Sequence, residues 1–140
     1  MVATTISALT YYNDRARTEE IAKYGAVQLL ELSRLEPGSV LVAHVVDDAA
    51  GFCISRYDDG LVWLSWFGVH QLYRRRGIGE ALLRSLAATL PSRRAHKVWC
   101  DTRTENVPSQ RLLRKVGFEK TAHFRDHWYG QDFFIWEWQP

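Results

Sequence analysis

Cysteine is scarce, with two residues in 140, Cys53 and Cys100. They lie far apart in apolar, strand-like runs, without CxxC spacing or a second pair of ligands, which favours two buried reduced thiols over a disulfide or a zinc site. No metal is expected. A covalent route through either thiol would need a positive, partly exposed setting that neither run offers. No uninterrupted apolar run reaches the length of a membrane span, and Met1 to Asp14 lacks a basic start followed by an apolar core. The expectation is a cytoplasmic protein with no membrane partner. Charge of one sign is in small excess, 18 Lys and Arg against 16 Asp and Glu, too little to imply nucleic acid by itself. Repeats, low-complexity segments and linkers are missing as well, so the 140 residues read as one domain, 1–140, able to bury about two thirds of its unfolded surface.

What is present in excess is aromatic: 6 Trp, 6 Tyr and 6 Phe. Many fall between Phe124 and Trp138, where alternation sets Phe134, Trp136 and Trp138 on one face and Phe133 and Ile135 on the other. Such a strand suits a core and a homodimer contact through the C-terminal aromatic strands. His127, Trp128, Tyr129 and Asp132 alternatively wall an acceptor pocket.

Along the chain, Thr4 to Tyr12 reads as a first strand. Asn13 or Asp14 caps a helical stretch to about Leu35, interrupted by Gly25 and closed by Pro37-Gly38. Ser39 to Val46 and Gly51 to Tyr57 form a hairpin around a loop at 47–50, and His44 reads as a core residue of the first of these strands. Leu61 to Val69 is apolar on both faces, with Leu61, Trp63, Phe67 and Val69 on one and Val62, Leu64 and Trp66 on the other, so it belongs in the sheet centre. A helix with Ile78, Leu82, Leu86 and Leu90 inward follows, then a strand from Lys97 to Asp101, which makes a crossover and a parallel pair. Asn106 caps a last helix that Gly117 closes, and Phe118 to Arg125 and Asp132 to Trp138 are the final strands.

Between the central strand and its helix stands Arg74-Arg75-Arg76-Gly77-Ile78-Gly79. A helix start offers unpartnered N–H groups and about half a positive charge, and glycines let those groups approach a ligand. The arrangement suits a pyrophosphate. Leu82 stands where a dinucleotide fingerprint needs its third glycine, and no Gly-Lys-Ser/Thr follows for a P-loop. What remains is R-x-x-G-x-G, preceded by Val69 at the strand end and Tyr73 before the first arginine. This run resembles the acyl-CoA motif of the GCN5-related N-acetyltransferase superfamily. Asn106-x-x-Ser109, followed by Leu112 to Glu119, resembles that superfamily's second motif, in the right order and separation.

The resemblance implies a mixed α/β fold with a mostly antiparallel sheet of six to seven strands, a parallel pair (the superfamily's fourth and fifth strands) splayed at its ends, and about four flanking helices. It implies acetyl-CoA as co-substrate and an amine as acceptor. Pyrophosphate would meet the N–H groups of Arg75, Arg76, Gly77, Ile78, Gly79 and Glu80, beside Arg74. Pantetheine would pair with the main chain around Phe67 and Val69, and Asn106 and Ser109 would touch pantetheine or phosphate. The superfamily's usual acid is a tyrosine on the second-motif helix, and here that position is Leu113. Tyr129 is the alternative acid, unless the thiolate, with a thiol pKa near 8.5, leaves unaided. The base is expected at Asp101, then Asp132 and His127. Two rivals stand beside N-acyl transfer: a non-catalytic acyl-CoA sensor, and nucleic-acid binding through Arg74 to Arg76, Arg84, Arg93 and Arg94. The last would leave the glycines idle.

Overall fold

The computed structural model describes residues 1–10 and 12–140. Three helices come first: α1 (Val2–Ser7), α2 (Asp14–Lys23) and α3 (Ala26–Leu35). Asn13 caps α2 by accepting from the Ala16 N–H at 2.9 Å, and extended Gly25 separates α2 from α3. The sheet follows as β1 (Val40–Val45), β2 (Asp48–Asp58) and β3 (Leu61–Val69), then α4 (Ile78–Ala88), β4 (Lys97–Arg103), α5 (Val107–Val116), β5 (Glu119–Phe124) and β6 (Phe133–Trp138). Strand order is β1-β2-β3-β4-β6-β5. Among the described residues only β3 and β4 pair in parallel, because α4 carries the chain back across the sheet between them.

Helices cover both faces. On one, Leu82, Leu83 and Leu86 of α4 and Leu113 and Val116 of α5 bury against Val62, Leu64, Val98 and Trp136. Each such side chain withdrawn from water contributes roughly 1.5–3 kcal/mol. On the other, Ile6, Tyr24 and Leu32 from the three N-terminal helices close over Phe52 and Ile54. The aromatic alternation of β6 holds: Trp136 is fully buried in the first core, with Phe134 and Trp138 against it.

Several expectations change. The strand expected at Thr4–Tyr12 is instead the end of helix α1 as far as Ser7, followed by turns, with Tyr11 outside the described residues. Its β-branched residues anchor through Ile6, fully buried, so packing overrides strand propensity. The sheet therefore has six strands, and the superfamily's fourth and fifth are β3 and β4 here. The first hairpin turns at Val46-Asp47 alone, since Val46 adopts φ 56° and Val45 already pairs with Asp48. His44 is exposed on edge strand β1, not in the core. The alternation of β3 is also broken. Ile54 pairs with Trp66 and Ser55 with Leu64, leaving Ser65 as an extra residue. This bulge sends Phe67 to the same core as Val62 and Leu64, and Trp66 to the opposite one.

Candidate active site

The parallel pairing of β3 and β4 stops at Leu64–Cys100, although the strands continue to Val69 and Arg103. Their outer edges stay engaged, β3 with β2 as far as Val69–Gly51 and β4 with β6 as far as Arg103–Phe133. The two strands part like a V, and their inner edges face a groove of about 650 Å³. Phe67, Val69, Asn106 and Ser109 all line it.

At its end lies the glycine turn. Arg74 donates from Nε to the Val69 carbonyl at 3.2 Å, fixing the exit from β3. Arg75 at φ 61° and Gly77 at φ 78° are left-handed, a pattern that turns successive N–H groups towards one point. Gly77 caps α4 without a side chain, so the first amides of the helix keep no internal acceptor. The glycines differ in purpose. A Cβ on Gly77 would meet nothing within 4 Å, so its left-handed φ is what demands glycine; a Cβ on Gly79 would stand 2.8 Å from Leu112 Cδ2, where α5 crosses α4. Glu80 would repel an anion, but Arg84 at 2.9 Å and Lys115 at 2.6 Å neutralise it and hold its carboxyl below the usual range, Lys115 most. Asn106 caps α5 through Oδ1, accepting from Ser109 N–H at 3.3 Å. The residues present fit a pyrophosphate joined to an extended, amide-bearing arm.

A second, smaller cavity of about 90 Å³ opens on the α2 side and shares Tyr12, Ser65, Trp66, Asp101 and Arg103 with the groove. Aromatic rings of Tyr24, Trp63, Trp128, Tyr129 and Phe133 wall it. Glu20, 8% exposed, accepts from Trp66 Nε1 at 2.7 Å, Lys23 Nζ at 3.1 Å and the Tyr129 hydroxyl at 3.3 Å. Asp101 stands where the cavities meet. Burial pushes its pKa up to about 6, against the pull of the Trp63 indole N–H, which is aimed towards it without regular hydrogen-bond geometry, and of the Arg103 charge.

The structure thus brings Asp101 to both cavities and Tyr129 to the wall of the smaller one. His127 and Asp132 lie outside both linings. His127 packs edge-on to Trp128 at 4.3 Å, and Asp132 closes the β5–β6 turn, accepting from Asp126 N–H at 2.9 Å and facing His123 Nε2 at 3.4 Å. That backbone bond is the main reason the Asp132 carboxyl is held low. Leu113 is fully buried in the α4–α5 core. Burial pushes the Cys53 thiol up to about 12 and raises Cys100 too, so neither supplies a thiolate. Sequence reading missed Tyr12, Glu20, Trp66 and Arg103. For Arg103 a signal existed, since it follows Asp101 by two and so shares its strand face; for the others none did.

The sequence profile described as the acetyltransferase (GNAT) family matches residues 6–118. Among solved structures, Ard1 from Thermoplasma volcanium superposes with a TM-score of 0.74 at 22% identity, over 99% of this chain and 93% of that one. The yncA protein of Salmonella typhimurium, solved with its cofactor acetyl-CoA, gives 0.71 at 24%, over 98% and 83%. The ribosomal-protein-S18-alanine N-acetyltransferase of Escherichia coli gives 0.65 at 22%, over 79% and 75%. No curated protein matches. The splayed strands, the glycine turn opening α4 and the profile over most of the chain lead to one conclusion: this protein belongs to the acetyltransferase (GNAT) family, whose co-substrate is acetyl-CoA.

Proposed function

We propose that the protein is an N-acyltransferase moving an acetyl group from acetyl-CoA to a primary amine by direct attack in a ternary complex, with 1–140 acting as one catalytic domain. The observation carrying this reading is that the groove and the acid-lined aromatic cavity meet at Asp101. Acetyl-CoA supplies the thioester carbonyl that is attacked and the thiolate that leaves. The amides from Arg75 to Glu80 hold its pyrophosphate, the inner edge of β3 around Phe67 and Val69 takes its pantetheine amides, and Asn106 and Ser109 stand at its side. A backbone N–H around Phe67 and Val69 steadies the developing oxyanion in this reading, an effect worth about 3–4 kcal/mol in other enzymes.

An alkyl amine is mostly protonated at pH 7. The neutral fraction attacks, and Asp101, with a pKa of about 6, is ionised there and takes the proton that the nitrogen sheds as the C–N bond forms. Tyr129 directs its hydroxyl at Glu19 and Glu20 and does not line the groove, so we assign it to the acceptor wall and let the thiolate depart unaided. The sensor reading keeps one observation in its favour, the buried Leu113 at the position where the superfamily resemblance implies a tyrosine. Calorimetric titration with acetyl-CoA, then an amine panel with a free-thiol readout, separates the two. Thiol release dependent on an amine is expected; binding without release from any amine would favour the sensor.

A further inference from the structure

Arg103 is 2% exposed, and its guanidinium lies between two rings, 4.2 Å from the centroid of Tyr12 and 4.4 Å from that of Phe133. The rings stabilise its charge through their faces. None of its three nitrogens makes a hydrogen bond of regular geometry among the described residues, the Tyr12 hydroxyl being its one near neighbour of that kind. A buried cation with unused donors is costly to keep, and the usual partner of its planar fork is a carboxylate. Arg103 lines both cavities where they meet.

We propose that Arg103 is the carboxylate receptor of the acceptor site, so that the acceptor is an amino acid presenting its amine to Asp101 and its carboxylate to Arg103. This rests on the acyltransferase reading above. The charged groups around the small cavity are Glu20, Lys23, Asp101 and Arg103. Glu20 and Lys23 already pair at 3.1 Å, which leaves one anion and one cation to meet a zwitterion. Asp101 and Arg103 stand two residues apart on one strand face, about 7 Å along the backbone. Side chains reaching in from that spacing suit an amine and a carboxylate on one carbon. Trp63, Trp66 and Trp128 offer apolar surface to the rest of the acceptor.

A carboxylate on the acyl group could reach the same guanidinium from the groove, so the test compares sources. Thiol release from acetyl-CoA is measured with alanine, methionine and phenylalanine, each against its amide and its decarboxylated amine, and succinyl-CoA is compared with acetyl-CoA. At least one free acid should exceed its neutral counterparts roughly tenfold or more in kcat/KM, through KM. Arg103→Met should erase that preference, read as the ratio of acid to amide rates so that any common effect through Asp101 cancels, and Arg103→Lys should restore part of it. Loss of a buried side chain can unfold the chain, so binding of the same acids and amides to the CoA-loaded wild type is read by calorimetry. No acid preference in rate or binding in any pair overturns the proposal, as does a preference confined to succinyl-CoA. Acid-selective binding that Arg103→Met abolishes, with no thiol release, would support the receptor while removing the transfer reading. Acetyl-CoA titration alone reports on the groove.

Discussion

The groove and the small cavity share a floor but are built in different ways. The groove's proposed anion site is backbone from adjacent residues, Arg75 to Glu80, shaped by two left-handed positions and one helix start. The small cavity is side chains from α2, β3, β4 and the 128–130 turn, with partners as distant as Tyr129 and Glu20, 109 residues apart. A backbone site tolerates many side chains provided the glycines stay. A side-chain site can be rebuilt without touching the fold, so one family can keep its co-substrate and change its acceptor.

If this division is right, substitutions should split cleanly between binding acetyl-CoA and using it. Asp101→Asn should lower turnover by about 10²–10⁴-fold, the usual weight of a general base, while calorimetric affinity for acetyl-CoA stays unchanged. Unchanged turnover would remove Asp101 from the mechanism. Gly79→Glu should do the reverse, lowering affinity by about 100-fold or more through bulk against Leu112 and charge in the anion site. A variant that still binds normally would break the groove's side of the comparison.

Proton linkage sharpens the contrast further. With the Asp101 pKa at about 6, kcat/KM expressed per neutral amine should fall tenfold per pH unit below 6 and level off above it. Folding stability runs the other way. The folded state holds this proton where the unfolded state has lost it, so Asp101 destabilises the protein increasingly from pH 4 to 6 and constantly above. Asp101→Asn should therefore raise stability by at most about 3 kcal/mol at pH 8 and by little at pH 4, as denaturant melts at the two pH values would show. The net shift already includes the pull of Arg103. The smallest effect is expected from Asn106→Ala, which removes the α5 cap and should cost about 1 kcal/mol by the same melts, together with a modest loss of acetyl-CoA affinity.

The groove was legible because its determinants are local. R-x-x-G-x-G after an apolar strand and Asn106 before a helix name backbone geometries that few other residues permit, and the structure has both. Asp101 was legible as a carboxylate ending an apolar strand. The wall of the small cavity, the proposed acceptor site, was only half legible. Tyr129 joins it, whereas His127 and Asp132, its neighbours in sequence, turn out of it because the chain reverses at Asp126 and Tyr129, both at positive φ. The Ser65 bulge had no signature, since an added residue leaves the apolar run of β3 intact while exchanging its faces.

By itself, then, the sequence determined the strand–turn–helix proposed to receive a pyrophosphate, the parallel crossover and the two helices that close over one face, because hydrophobic period and glycine placement act within a few residues of one another. Only the tertiary structure decided that the N-terminal segment begins as a helix, that Arg103 is buried beside Asp101, and that Glu20, Trp66 and Tyr12 line the same cavity as that carboxylate. Those outcomes depend on which side chains fill the space between elements, and that space exists only once the sheet has formed.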